Sequence, residues 1–189
     1  MILSFFFAFD DCDIYNKAIL KQMGTLCRNI TVTLSGDISG QYTGNGNIIL
    51  KAALKYNDKW LPKGATGDNG LPCCNYLLFY VLQDCGLIKE IKTANEYCDM
   101  LSKDSRFVEI KYANGEKALP GDIMCVKRPN SSGHNMICVE VDENGLITKI
   151  IQTGSSSDPK GKNHVRVSTN WCKKGQKDYP NLHVFRLKA

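Results

Sequence analysis

A chain of 189 residues, 43% of them hydrophobic, is long enough to bury a core of its own and suggests one domain with an added segment. Its longest apolar runs, residues 2–9 and 76–82, fall short of the roughly 18–20 residues that cross a bilayer, so no membrane span is expected. The net charge of +5 is scattered in small pairs such as Lys127 with Arg128, with no basic stripe interleaved with aromatics; nucleic acid is therefore not expected as a partner, and an anionic polymer or acidic peptide suits the charge better.

In chain order, the opening MILSFFFAFDD has the apolar character of a secretory signal but neither a basic start nor a small-x-small cleavage site, and it reads as a buried strand. A short helix over 14–23 and a Thr/Val strand over 29–34 follow, then the Gly-rich SGDISGQYTGNGN, a loop or linker. Residues 1–45 are set apart as an N-terminal extension of unknown role, and 46–189 as the main domain. Residues 46–60 place Ile48, Ile49, Ala52, Ala53 and Tyr56 at helical spacing. The run CNYLLFYVLQDCG is apolar nearly all round and closed by Gly86, which predicts a buried central helix. Thr93 with Glu96 three residues on is a capping box opening a further helix to Lys103. The texture then changes to short alternating runs over 106–111, 122–127, 134–142, 146–153, 164–168 and 182–187, which read as strands. Helices first and an antiparallel sheet afterwards is an α+β order.

Nine cysteines, at 12, 27, 73, 74, 85, 98, 125, 138 and 172, are an odd number, and none forms a C-x-x-C pair of the kind that builds zinc or thioredoxin-like sites. Cys85, Cys98, Cys125 and Cys138 sit in apolar surroundings and read as small buried hydrophobes. Cys74 stands at a helix start, where unsatisfied N–H groups and the positive end of the macrodipole favour thiolate over thiol. His134 leads a strand whose Ile137, Val139 and Val141 point one way, while His134, Met136 and Cys138 point the other. An imidazole there can take a thiol proton and return it to a leaving amine. Gln152 lies on the next strand, past an Asn144-Gly145 hairpin signal. A three-residue loop, 143–145 with Gly145 left-handed, sets Gln152 opposite Met136, diagonal to His134 and on the same face. A two-residue loop pairs Glu140 with Lys149 and turns Gln152 away. The three-residue loop is the expected one. Each residue alone has a plainer reading: a packed thiol, a hydrogen-bonded histidine, an ordinary polar side chain. His164 and His183, with no motif around them, read as structural.

Taken together, helix-borne Cys74, LPGDIMCVKR, GHNMICVEVDENGLITKIIQ and a Gly86 twelve residues after Cys74 resemble the NlpC-type and CHAP-type cysteine peptidases, papain-like enzymes that cut peptidoglycan peptides. The likeness covers residues 46–155 and, loosely, the closing strands; the twelfth residue after Cys73 is Cys85, so the spacing selects Cys74. It implies a papain-like fold with helices packed on a central antiparallel sheet, and a hydrolase cleaving an amide in a peptidoglycan stem or cross-bridge. Cys74 is then the nucleophile, His134 the base and acid, and Gln152 the residue that orients the imidazole. No cofactor or metal is implied. A delivered antibacterial effector or a phage lysin, acting at the cell wall or periplasm and met by an immunity or inhibitor protein, would fit. Cys73 stands where the family has Asp, Asn75-Tyr76 replace Ser-Gly, and Asn135-Met136 follow the histidine in place of small apolar residues, so substrate specificity does not transfer. The same Cys, His, polar order also serves acyltransferases, transglutaminases and protein-directed cysteine proteases, and a cysteine-rich binding module is the non-enzymatic alternative.

Overall fold

The computed structural model describes residues 46–61, 73–128, 133–154, 159–169 and 181–188. All of them fall in one compact unit, Gly44–Ala189. The strands expected over 2–9 and 29–34, the helix over 14–23 and the extension 1–45 as a whole lie outside the described residues, as do Cys12, Cys27 and Cys172.

Three helices precede the sheet. Helix α1, Gly46–Leu54, buries Ile49, Ala52 and Ala53. It stops six residues short of the expected end at Trp60. The Tyr56 and Asn57 N–H groups turn back to Ala53 O and Leu54 O, Asp58 takes φ +58°, and its N–H goes to Val165 O (2.9 Å). Pairing with a strand about a hundred residues away thus outcompetes continued helix. Helix α2, Cys73–Asp84, buries Leu77, Leu78, Val81 and Leu82 along one face, each worth about 1.5–3 kcal/mol. It is closed past Gly86 by the Leu87 N–H returning to Leu82 O (2.9 Å). Helix α3, Ala94–Lys103, has the expected capping box: the Glu96 N–H donates to Thr93 Oγ1, and the Thr93 N–H donates to the Glu96 carboxylate.

The six strands are β1 (Phe107–Ile110), β2 (Ile123–Val126), β3 (His134–Val141), β4 (Ile147–Thr153), β5 (Val165–Ser168) and β6 (Leu182–Leu187). They form one antiparallel sheet in the order β1-β6-β2-β3-β4-β5. The α+β architecture expected from the order of patterns is the one observed. Alternation divides the sheet into two apolar faces. Ile123, Cys125, Ile137, Ile151, Val165 and Phe185 pack with the helices, and Met124, Val126, Met136, Cys138, Ile150 and Val184 pack beneath Tyr112 and Ala118 of the β1–β2 connection. The outer rim of β5 is occupied by the segment after α1: Asn57 Oδ1 accepts the Val167 N–H (3.0 Å), and Lys59 O accepts the Val165 N–H (2.8 Å).

The β3–β4 hairpin decides where Gln152 points. Its loop is the three-residue one: the Asp142 N–H bonds Leu146 O (2.8 Å), and Gly145 adopts φ +76°. Only glycine suits that position, because a Cβ there would stand 2.4 Å from Lys117 Cβ. Ile137 faces Ile151 and Cys138 faces Ile150, a register that carries Gln152 opposite Met136. Glu140 nevertheless pairs with Lys149, because a bulge shifts the register after Cys138 and restores it at Val141. The bulge also corrects one expectation: Val141 does not follow Ile137 and Val139 to the helix side but packs in the opposite cluster.

Candidate active site

Cys73 and Cys74 open α2 with different surroundings. Cys73 belongs to the apolar cluster between helices and sheet. Cys74, also buried, has polar neighbours: its S–H donates to Asn75 Oδ1 (3.6 Å), and the backbone N–H groups of Asn135, Asn75 and Cys74 itself favour its anion. Asn135 is the second residue of β3, so the sulfur lies against the start of the strand that His134 leads.

At that start, the turn into β3 is set by Gly133, which has φ +67° and whose Cβ, were there one, would stand 2.5 Å from Val126 O. His134 and Gln152 share a sheet face, and their side chains meet, His134 Nε2 to Gln152 Oε1 at 2.8 Å. An amide oxygen has no proton to give, so Nε2 is the donor and Nδ1 of the neutral ring carries the lone pair. The Gln152 bond thus fixes the tautomer a general base needs. Cys74 meets β3 at Asn135, on the helix side of the sheet, whereas alternation sets His134 and Gln152 on the face they share with Met136. The structure brings His134 and Gln152 together and places Cys74 beside the next residue of the same strand.

The expectation of a thiolate at the helix start does not hold for the resting protein. Burial pushes the Cys74 thiol up to about 11, with the Asn135 N–H opposing it most strongly and Cys73 adding to the rise. Desolvation outweighs the helix terminus because the sulfur is enclosed on all sides. The His134 imidazole is held below its ordinary value of 6.5, chiefly by burial, with the Gln152 bond opposing and the Arg128 charge adding. Both partners are therefore neutral at pH 7. Burial raises Cys98 to about 11 as well, and lifts Cys125 well above the ordinary thiol value. A side-chain amide partner, then, and not its resting acidity, sets Cys74 apart from Cys138, a buried cysteine whose S–H donates to a backbone oxygen, Glu140 O (3.8 Å).

Two of those neighbours have no counterpart among the residues singled out in the sequence. Asn75 and Asn135 are fully buried, and Asn135 Nδ2 donates to Asn75 Oδ1 (3.0 Å) across sixty residues of sequence. Asn75 Nδ2 and Asn135 Oδ1 have no hydrogen-bond partner among the described residues. One neutral hydrogen bond contributes about 1 kcal/mol, whereas each unpaired buried amide atom costs about 1–3 kcal/mol, so the pair lowers stability on balance. Asn75 left a signal in the sequence, a polar residue within an otherwise apolar run, whereas Asn135 merely precedes one.

The Asp of Pro120-Gly121-Asp122 is a clamp. Its carboxylate accepts the Leu119 N–H (2.8 Å) and both Nε and Nη2 of Arg186 (2.9 Å each), fastening the entry to β2 onto β6. Burial raises the Asp122 carboxyl and the Arg186 guanidinium draws it back. His164 and His183 are held by carboxylates, His164 Nε2 by Asp58 (2.9 Å) and His183 Nδ1 by Glu109 (2.8 Å). Cys74, Cys85, Cys98 and Cys125 carry free thiols.

Among the described residues, no group of three or more His, Cys, Asp or Glu side chains is placed to hold a metal ion, and no helix is long and apolar enough to cross a membrane. No protein-family model matches the chain and no curated protein matches its sequence, so the geometry and chemistry of the site itself carry the functional reading.

Proposed function

We propose that the protein is a cysteine hydrolase of the papain-like, NlpC-type kind that cleaves an amide in peptidoglycan stem or cross-bridge peptides, acting at the cell wall. The observation that carries this reading is the His134–Gln152 bond of 2.8 Å at the start of the strand whose next residue, Asn135, has the backbone N–H that favours the Cys74 anion. A helix-borne cysteine, a strand-borne histidine and a side-chain amide that fixes the tautomer are the parts that thiol-based amide cleavage requires.

Cys74 Sγ attacks the carbonyl carbon as its proton passes to His134 Nδ1, and the oxyanion is held by backbone N–H groups at the start of α2. The imidazolium then protonates the amine nitrogen as the C–N bond breaks, leaving a thioester on Cys74. Water, losing a proton to the same nitrogen, attacks the thioester; the acid departs and the thiol is restored. The net charge of +5 suits an anionic wall polymer.

Digestion of purified muropeptides, read by mass, tests the reading. Expected are products whose masses sum to the substrate plus one water. Intact muropeptides alongside acylated or cleaved protein substrates overturn it in favour of a transferase or a protein-directed protease.

Because the resting pair is neutral, kcat/KM should rise with pH through the His134 ionisation, below 6.5, where the base loses its proton. It should then stay level through the mildly alkaline range, the thiol ionising only near 11. A preformed thiolate–imidazolium pair predicts instead a descending limb at mildly alkaline pH, as the imidazolium deprotonates.

A further inference from the structure

We propose that Asn75 and Asn135 are positioning residues: their amide–amide hydrogen bond locks the first turn of α2 to the first residues of β3 and so sets the Cys74 sulfur against the strand that carries His134. This rests on reading Cys74 as the nucleophile and assigns a role to two side chains outside the Cys74, His134, Gln152 set.

Asn75 Oδ1 is a shared acceptor, taking Asn135 Nδ2 at 3.0 Å and the Cys74 S–H at 3.6 Å. Asn135 approaches the sulfur a second time through its backbone N–H. Each asparagine is the immediate chain neighbour of a reacting residue, Asn75 of Cys74 and Asn135 of His134, so a bond between the amides constrains the two reacting residues across the helix-to-sheet junction. The alternative, that the pair merely helps hold the fold, fits poorly with the two buried amide atoms that have no partner among the described residues, Asn75 Nδ2 and Asn135 Oδ1. Apolar side chains of similar size would fill the same space without that cost. Asn75 and Asn135 also occupy two of the positions where the chain departs from the motifs it resembles. Their contact with each other makes the two departures a single change.

Asn75→Leu, Asn135→Leu and the double variant test the assignment, with three readouts on the full chain: thermal unfolding, kcat and KM on muropeptides, and iodoacetamide alkylation resolved by mass for each cysteine. The melting temperature should hold or rise in the double variant, which leaves neither buried amide, whereas Asn75→Leu alone strands both amide atoms of Asn135 and should lower it. Turnover should fall by about tenfold or more with KM nearly unchanged, since misplacement of a reacting atom is felt in the chemical step. Alkylation of Cys74 at pH 7, measured against Cys98 in the same molecule, should slow by a similar factor. The double variant should lose no more than either single one, because both remove the same bond. An unchanged Cys74-to-Cys98 ratio with unchanged turnover overturns the proposal. So does a lowered melting temperature in the double variant with all buried cysteines reacting faster together, the sign of a purely structural pair. Should the parent chain cleave no muropeptide, the alkylation ratio still decides: a fall on Asn135→Leu retains the positioning role while the substrate reading fails.

Discussion

Cys74→Ala should abolish muropeptide cleavage, lowering kcat by on the order of 10⁴-fold or more, as expected when a covalent nucleophile is removed and only binding and the oxyanion donors remain. The fold should survive. The lost sulfur leaves a void of about one methyl group, costing ~1 kcal/mol, or about 2–4 °C of melting temperature in a chain of this size. Asn75 Oδ1 loses the S–H donor but keeps Asn135 Nδ2, so no new unpaired acceptor is created. Cys73→Ala is the matched control. Its thiol packs in the apolar cluster, so a similar stability loss should come with activity intact. Cleavage retained by Cys74→Ala, or lost equally in Cys73→Ala, would remove the thioester from the mechanism.

Asp122→Ala should be the most destabilising single change at the motif residues. It deletes three acceptor contacts and leaves the Arg186 guanidinium, only about a quarter exposed, without its carboxylate. Breaking a buried ion pair from one side costs about 3–5 kcal/mol, which for this chain length corresponds to a fall of roughly 6–20 °C in melting temperature. Asp122→Leu combined with Arg186→Met removes both charges at similar volume and should regain most of that loss, less the unpaired Leu119 N–H. Differential scanning calorimetry of the three proteins separates the cases. A fall under about 1 kcal/mol in Asp122→Ala would show that the contact is not a clamp. Turnover per folded molecule should stay close to that of the parent, since the carboxylate touches none of Cys74, His134 or Gln152.

Much of this arrangement was legible in the sequence because local chemistry dictates it. Thr93 and Glu96 announce their helix by the bonds they make to each other, Gly145 fixes the hairpin loop through a conformation few residues tolerate, and alternation then carries Gln152 to the face of His134. Long-range contacts were not legible. The end of α1 at Leu54 is imposed by β5, which captures residues 57–59. The pairing of Asn75 with Asn135 spans sixty residues and has no periodicity to betray it. The protonation state of Cys74 also escaped: a helix start favours the anion, but the sign is set by how completely the surrounding chain excludes water, and that depends on tertiary packing. The bulge at Glu140 blends the two loop registers, which sequence presents as exclusive alternatives.

The capped donors on the rim of β5 have a consequence beyond the site. A terminal strand with open N–H and C=O groups is a template on which a neighbouring molecule can build, the usual seed of sheet-mediated aggregation. Here Asn57 and Lys59 have already taken the donors of Val165 and Val167. Loss of that seal, as in Asn57→Ala, would turn a finished boundary into a growth front, so self-association is the hazard held in check on that side of the sheet.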